Sequence, residues 1–374
     1  MTIGKLITYL EDWAPPGAAW DRDNVGLQVG SREKKLKNIM LCLELTPQVL
    51  TEAQSKNCNF IFTHHPLIFT PLKELDTQNN PQAKLIETII KNDITVYSAH
   101  TNLDFTKDGV SFELAKTLNL ENIRLLEPQE NNQFKVVVFI PGKDVEKVAS
   151  AVFSAGGGII GEYKNCSFRL NGEGTFLGSE KSNPVIGKKQ NFEKIEEVRF
   201  EFVVDSWKLN KVITAILKTH LYEEPAYDIH PLRNKNVNYG FGALGELKTG
   251  LSEKEFLAHV SKLLKVKAVR FCTGYKKQIK KVAVCGGAGS QLLDRAIAAG
   301  ADAFITADIK YHTFHDANEK ILLVDAGHYE TEILSLNAVK IKIEELVGAK
   351  EKTKVYKYSQ STNPVKSFIN IKEQ

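Results

Sequence analysis

One apolar run, which stops at two adjacent histidines and a proline, constrains the fold of this 374-residue chain more than any other feature. The run Asn59–Thr63 has strand character and leads into His64, His65 and Pro66. Because proline cannot donate a hydrogen bond to a sheet, the strand must end at this point. The two histidines therefore follow the carboxyl end of a strand, where open α/β sheets bind their ligands.

The segments before this strand indicate a parallel sheet. Lys37–Leu43 is an apolar strand pattern, and Thr46-Pro47 then opens a helix, with threonine as N-cap and proline in the first turn. The order strand, helix, strand predicts a parallel pair joined by a right-handed crossover. An isolated His-His pair often lies in a loop and has no functional role, so the histidines alone do not establish a site.

Further strands of the chain also end in histidines, each followed by a carboxylate. Ile94–Ser98 leads to His100 and Asp104, which neighbouring parallel strands would bring to the edge that holds His64 and His65. Asp104 could instead cap the helix around Val110–Leu118, but its distance from that helix favours a ligand role. Strand Ile321–Asp325 leads to His328 and Glu332. Their i, i+4 spacing puts both side chains on one side of a helix that begins at His328.

The middle third has a different order of elements. A strong strand follows the polar stretch Glu127–Asn132, and the pattern continues as β-α-β then β-α-β, which predicts a ferredoxin-like α+β module. Residues 129–233 are assigned to this inserted domain. Residues 1–128 and 234–374 are assigned to one discontinuous α/β domain. Its two outer thirds repeat strand, helix and strand with a ligand-type residue at each strand end, so we expect two pseudo-repeated α/β halves.

Two further stretches leave alternatives open. Gly286–Ser290 lies between a strand and a helix, and is either a plain tight turn or a nest of backbone N–H groups for an anion. It lacks the spacing of a P-loop or of a dinucleotide-binding motif. His220–Asp228 is rich in polar and aromatic residues; it could bind a ligand, although a turn leading to an edge strand is favoured.

Composition and charge exclude several classes of protein. The five cysteines form no Cys-x-x-Cys pair, which argues against a disulfide framework and a zinc–thiolate site. The N-terminal segment reads as an amphipathic helix rather than a signal peptide, and no stretch approaches the roughly 20 apolar residues that span a bilayer. A net charge of +4 gives little support to nucleic-acid or membrane binding. We expect a cytoplasmic protein.

The candidate residues suit a two-metal site. They are His64, His65, Asp104, His328 and Glu332, with His100 and His312 in reserve. Three imidazoles and two carboxylates can hold two divalent ions if one carboxylate bridges, and zinc, manganese or iron accept such ligands. Two such ions can activate a water for hydrolysis, and a neutral histidine such as His312 could act as general acid or base. No Gly-x-Ser-x-Gly motif supports a covalent mechanism.

Three motifs together resemble one known family. They are the runs Phe62–Phe69, Ala99–Asp104 and Gly327–Glu332. They resemble the GTP cyclohydrolase 1 type 2 homologs, also described as NGG-interacting-factor-like dinuclear metal proteins, from near the N-terminus to about residue 350. The middle third resembles the extra module of the longer bacterial members, which is similar to nitrogen-regulator and divalent-cation-tolerance folds. Leu221 stands where that module's pattern has proline, and Glu44 where the family pattern has aspartate.

The resemblance carries expectations about assembly and activity. It implies a homohexameric toroid with a two-metal site facing its interior, and it implies that the same five residues are the metal ligands. Zinc is the expected metal. The family name implies opening of the imidazole ring of GTP with release of formate. Two functions from different classes follow: a metal-dependent hydrolase acting on GTP or another nucleotide, and a hexameric metal-binding regulatory protein without catalysis.

Overall fold

The computed structural model describes residues 1–348 and 352–368, so the last part of the predicted segment 234–374 lies partly outside the described residues. By its internal contacts the chain forms two compact units, unit 1 (residues 1–127 and 239–374) and unit 2 (residues 128–238). Among the described residues, no helix combines the length and apolar character needed to cross a membrane.

The helices and strands of unit 1 alternate along the chain. Those before unit 2 are α1 (Ile3–Trp13), β1 (Gly26–Val29), β2 (Asn38–Cys42), α2 (Pro47–Ser55), β3 (Cys58–Thr63), α3 (Pro81–Lys91), β4 (Thr95–Ser98), α4 (Thr101–Asp104), α5 (Val110–Thr117) and β5 (Leu120–Glu130). Those of unit 2 are β6 (Gln133–Pro141), α6 (Val145–Ala155), β7 (Phe168–Leu177), β8 (Phe192–Asp205), α7 (Ser206–Thr219) and β9 (Tyr227–Leu232). Those that follow are β10 (Lys235–Leu251), α8 (Glu253–Leu264), β11 (Arg270–Cys272), β12 (Ile279–Val284), α9 (Leu293–Ala298), β13 (Ala303–Thr306), α10 (Tyr311–Ala317), β14 (Leu322–Asp325), α11 (His328–Glu332), α12 (Ser335–Val347) and β15 (Val355–Lys357).

Unit 1 contains two mixed sheets with the same internal order. The first runs β1-β4-β3-β2-β15, and the second runs β11-β14-β13-β12-β10-β5. Each sheet contains a parallel trio, β4-β3-β2 or β14-β13-β12, with a short antiparallel strand on one side, β1 beside β4 and β11 beside β14. On the other side of the trio lies the parallel β15 in the first sheet and the antiparallel β10 in the second. The parallel β2–β3 pair that the β-α-β pattern predicts is present. The carboxyl ends of each parallel trio consequently lie at one edge of their sheet.

Both sheets of unit 1 are covered on their two faces, which explains their nearly continuous apolar strands. Helices α1 and α12 bury one face of the first sheet, and α2 and α3 the other. Helices α5 and α8 bury one face of the second sheet, and α9 and α10 lie on the other. The fully buried rings of Phe60 and Phe304 belong to these cores. Such packing fixes the strand ends from which the candidate ligands project.

Two long strands were not expected from the sequence. The chain leaves unit 1 within β5 and returns within β10, and these strands are neighbours in the second sheet. The polar stretch Glu127–Asn132 contains both the end of β5 and the boundary between the two units, which falls after Glu127. Strand β10 is 17 residues long and contains Gly240, Gly242, Gly245 and Gly250. These glycines weaken the strand pattern in the sequence, because glycine has low strand propensity.

Unit 2 is an antiparallel sheet with helices on one face. The order of its strands is β7-β8-β6-β9, and every pair is antiparallel. Val136, Val138 and Ile140 of β6 pack with Phe200 and Phe202 of β8 beneath α6 and α7. The run His220–Asp228 leads into the edge strand β9, as the turn interpretation predicted.

His220 makes the stability of unit 2 depend on pH. Its Nε2–H donates to the Phe139 carbonyl oxygen (2.9 Å), and its Nδ1 accepts from the Tyr222 N–H (3.0 Å). Burial lowers the pKa of His220, outweighing the opposite effects of the Phe139 carbonyl and of the Glu197 and Asp144 carboxylates. Because the folded pKa lies below the unfolded value of about 6.5, this stabilisation is complete above pH 6.5 and is lost as the pH falls through the folded pKa.

We therefore expect unit 2 to lose up to about 1.4 kcal/mol per pH unit below pH 6.5, since one more proton binds the unfolded state. Hydrogen exchange of unit 2 peptides between about pH 7.5 and pH 5, corrected for intrinsic exchange, measures this loss. His220→Gln should flatten the dependence. His230→Gln, on an exposed position of β9, is the matched control. An identical pH dependence in the wild type and His220→Gln would contradict this assignment.

Candidate metal centre

The candidate ligands lie directly after the carboxyl ends of parallel strands. His64 and His65 follow β3, and His100 follows β4. In the second sheet His328 follows β14. Helix α11 begins at His328 and ends at Glu332, as the i, i+4 spacing requires. The two strand trios of unit 1 thus deliver their polar residues to a common cluster.

Glu332 is the centre of this cluster. Its carboxylate oxygens lie 3.0 Å from His65 Nε2, 3.0 Å from His328 Nε2 and 3.7 Å from His64 Nε2. Asp104 Oδ1 lies 3.5 Å from His64 Nε2. All five residues predicted as metal ligands are therefore brought together. The alternative role of Asp104 as a helix cap is wrong, because the residue at the N-cap of α5 is Gly109.

The side chains of the cluster form two groups of three, and in each group the atoms that could bind a metal lie within 4.8 Å of one another. One group is His64, His65 and His100, and the other is His65, His328 and Glu332. His100 is thus part of the cluster. His312 is exposed on α10, where its ring contacts Tyr311, and it belongs to neither group. The structure does not bring His312 to the other candidates.

Every imidazole of the cluster is held through its Nδ1 atom by an oxygen. His64 Nδ1 lies 2.8 Å from the Ala99 carbonyl oxygen. The other three pair with carboxylates: His65 with Glu44 (3.0 Å), His100 with Asp23 (3.0 Å) and His328 with Asp308 (2.6 Å). An oxygen acceptor keeps the proton on Nδ1, which leaves the Nε2 lone pair available to a cation.

Sequence reasoning missed these three carboxylates as partners of the site. Glu44 follows β2, and Asp308 follows β13, so both obey the strand-end rule that identified the histidines. Asp308 also has a positive φ of 54°, a conformation that aspartate tolerates better than most residues. Asp23 precedes the antiparallel β1, where the rule for parallel strands gives no signal. Hydrogen bonds from His100 and Thr101 outweigh burial and lower the pKa of Asp23 to about 2.

The donor atoms fit a bound cation. Among the described residues, His64 Nε2 and Asp104 Oδ1 are buried without a hydrogen-bond partner. Burial raises the pKa of Asp104 to about 7, despite the favourable charge of His64. Burial disfavours protonation of His65, yet hydrogen bonds to Glu332 and Glu44 raise its pKa to about 10. Protons on the imidazoles balance the negative charge of the buried carboxylates here. A divalent cation can replace such protons.

The cluster is closed on one side and open on the other. The side chain of His64 is fully buried and that of Glu332 is 4% exposed. The side chains of His65 and His328 are 24% and 37% exposed. A site with an accessible side leaves a position for water or substrate, which is typical of catalytic rather than structural zinc sites.

The glycine turn Gly286–Ser290 packs directly against this cluster. A Cβ atom on Gly287, whose φ is +61°, would lie 2.1 Å from Glu332 Oε1. The N–H groups of Gly286, Gly287 and Gly289 donate to the hydroxyls of Ser111, Thr331 and Thr306. Because these N–H groups are already bonded, the structure favours the tight-turn interpretation over an anion nest.

A C-terminal segment reaches the site from 318 positions away. The Thr362 hydroxyl donates to Glu44 Oε2, while Glu44 Oε1 holds His65. Asn363 Nδ2 donates to Glu330 Oε1 (2.9 Å) on α11. The Ser359 hydroxyl bonds Glu52 (2.6 Å). This segment, Ser359–Asn363, therefore supports the orientation of His65 through Glu44.

Comparison with known proteins places these features in context. The sequence model described as Duf34/NIF3 (NGG1p interacting factor 3) matches residues 1–364. A protein of Halalkalibacterium halodurans named GTP cyclohydrolase 1 type 2 homolog is 38% identical over 96% of this chain and 97% of its own. A Bacillus subtilis protein of the same name is 39% identical over 88% and 89%. A Bacillus cereus protein related to NIF3 has a crystal structure with a TM-score of 0.84 and 36% identity, covering 98% of this chain and 99% of its own.

Proposed function

Because this chain belongs to the Duf34/NIF3 (NGG1p interacting factor 3) family, we propose that its histidine–carboxylate cluster holds two divalent metal ions and that the protein is a metal-dependent hydrolase. The ligands would be His64, His65, Asp104, His328 and Glu332. The observation that carries the proposal is the shared anchoring of the imidazoles. Each cluster histidine is fixed at Nδ1 by an oxygen and keeps Nε2 available beside buried carboxylates.

When bound, a pair of zinc, manganese or iron ions would supply a water of lowered pKa and a counter-charge for a developing oxyanion. Zinc is the metal we expect first, because imidazole nitrogens and carboxylate oxygens are among its usual ligands. The residues of the chain hold and orient these donors: Asp308, Glu44 and Asp23 fix three of the rings. These outer partners prevent the rings from rotating away from the site.

His100 is a better candidate for proton transfer than His312. Its ring contacts those of His64 and His65, at centroid distances of 5.3 and 5.4 Å. The low pKa of Asp23 keeps that carboxylate ionised, and its hydrogen bond to Nδ1 orients the His100 ring beside the other two. His312 contacts Tyr311 on the exposed face of α10.

The named candidate substrate is GTP, or another nucleotide. Its support is the name of the curated relatives, GTP cyclohydrolase 1 type 2 homolog. Hydrolytic opening of the GTP imidazole ring adds water across a C–N bond and then releases formate. Both steps are hydrolyses and need no redox cofactor, which suits a site built from imidazoles and carboxylates.

The test combines metal counting with an activity assay. The protein is loaded with zinc or manganese, the metal per chain is counted, and formate release from GTP is followed. We expect about two ions per chain and formate release that a chelator abolishes. Two ions without turnover of GTP would contradict GTP as substrate and direct a screen to other nucleotides and phosphoesters. A protein that retains metal but acts on none of them would favour the regulatory alternative.

Thr362 offers a test of the outer partners. We expect Thr362→Val to weaken metal binding by about 10-fold, within the range of roughly 10 to 100-fold for loss of an outer partner, because Glu44 would hold His65 less firmly. Competition with a chromogenic chelator measures the affinity. Thr362→Ser keeps the hydroxyl and should bind as the wild type does. Equal affinities in all three proteins would show that the contact has no part in the site.

The same proposal covers assembly and architecture. We propose a homohexameric toroid, and we propose that residues 129–233 form an inserted ferredoxin-like module. The common order β1-β4-β3-β2 and β11-β14-β13-β12 supports the two halves of unit 1 as pseudo-repeats. Light scattering tests the hexamer.

We propose that the protein is cytoplasmic, and the five free cysteines agree with a reducing compartment.

A further inference from the structure

The loop after His65 is held rigidly although it carries exposed apolar side chains. Gln28 Oε1 accepts from the Ile68 N–H (3.2 Å), and Asn24 Nδ2 donates to the Ile68 carbonyl oxygen. Gln82 Nε2 donates to the Leu67 carbonyl oxygen. The backbone is therefore bonded by side chains from both sides just before Phe69. Such bonds keep the loop in one conformation, where a free loop would move.

Phe69 is displayed by this rigid loop at the edge of the histidine cluster. Its side chain is 57% exposed. Its ring meets the ring of His100 edge-on, with 6.5 Å between the centroids. His100 in turn contacts His64 and His65. An exposed aromatic ring is therefore fixed one imidazole away from the proposed metal ligands.

We propose that Phe69 is the stacking surface for a planar heteroaromatic ring, such as a nucleobase, in a ligand bound at this site. The inference rests on the proposed function, because it assigns a ligand to the same cluster. An aromatic face attracts other planar rings, and stacking tolerates many ring types. The metal site would bind the reacting or charged part of the bound molecule, and Phe69 would stack on its base.

A stacking role for Phe69 accounts for an exposed aromatic ring beside polar groups. Leaving a phenylalanine in water forgoes the free energy of burial, and the loop adds three side-chain hydrogen bonds to keep it there. Leu75 on the same loop is equally exposed, at 55%, but no described contact links it to the cluster. It offers a matched control for general apolar effects.

The experiment compares two probes that share a ribose 5-phosphate, one with the base attached and one with a hydroxyl in its place. Guanosine 5′-monophosphate and ribose 5-phosphate are titrated into the metal-loaded protein by calorimetry. Loss of one base stack costs roughly 10 to 100-fold in affinity, so we expect the wild type to prefer the nucleotide by about that factor. Phe69→Ala and Phe69→Leu should remove the preference, Phe69→Trp should keep it, and Leu75→Ala should leave it unchanged.

Several outcomes would overturn the proposal. A nucleotide preference that survives Phe69→Ala, or a metal-loaded wild type that does not distinguish the probes, removes the stacking role. A change of oligomeric state in Phe69→Ala, seen by light scattering, would assign the ring to a contact between copies instead. The metal count is read separately: wild-type protein without metal contradicts the proposed function, whereas metal-loaded protein with no dependence on Phe69 contradicts only this inference.

Discussion

Glu332→Gln should abolish high-affinity metal binding, with a loss of affinity well above the roughly 100-fold that outer partners cause. The Glu332 carboxylate lies within 3.7 Å of three histidine Nε2 atoms and is the only charged group that joins all of them among the described residues. An amide keeps the shape but removes the negative charge that offsets a divalent cation. Metal content after gel filtration and zinc competition measure the loss.

Glu330→Gln provides the control for this variant. Glu330 lies on the same helix, and its carboxylate accepts from Asn363 rather than contacting an imidazole. We expect it to bind metal nearly as the wild type does. Unchanged metal content in Glu332→Gln, with correct folding by circular dichroism, would contradict the assignment of Glu332 as a ligand.

Removal of metal should destabilise unit 1 and leave unit 2 unaffected. All five proposed ligands and their carboxylate partners belong to unit 1. An ion present at a thousand times its Kd stabilises the folded state by about 4 kcal/mol, and a chelator removes that contribution. Hydrogen exchange resolved by peptide distinguishes the units: exchange of β3, β14 and α11 should accelerate, while exchange of β6 and β8 should not.

The Glu332→Gln protein is the reference for this second experiment. If it no longer binds metal, the chelator should change nothing in it, and unit 1 should exchange as in the chelated wild type. A chelator that loosens both units equally, or loosens unit 2 alone, would place the ion outside the cluster. A chelator without any effect on the metal-loaded wild type would show that metal binding is not coupled to folding.

The histidines could be predicted because simple rules connect them to the fold. A strand must stop before Pro66, and parallel strands end at a common edge, so His64, His65 and His100 were expected together. The spacing of His328 and Glu332 required only that α11 begin at His328. These rules depend only on residues that are close together in the sequence, so they can be applied to one sequence alone.

The outer partners depend on distances that the sequence does not contain. The pairs His65–Glu44, His100–Asp23 and His328–Asp308 are 21, 77 and 20 positions apart. Acidic residues of this kind are common on surfaces, and only the packed sheets select these three. The long strand β10 escaped prediction for a different reason, since its glycines obscured a pattern that sheet pairing overrides. Strand β5 escaped because charged residues and Pro128 interrupt its apolar pattern.

The division of the donors between the two ends of unit 1 has a consequence for protein synthesis. His64, His65, His100 and Asp104 leave the ribosome before the whole of unit 2, and Glu332 after it. Unit 2 is contiguous and can fold as the chain emerges, but unit 1 must wait for its later strands. The carboxylate common to three histidines is thus absent from the nascent chain, and Thr362 reaches Glu44 later still. The complete site can therefore capture metal only after α11 has been synthesised and has joined the earlier strands, so metal loading reports on a late stage in the folding of unit 1.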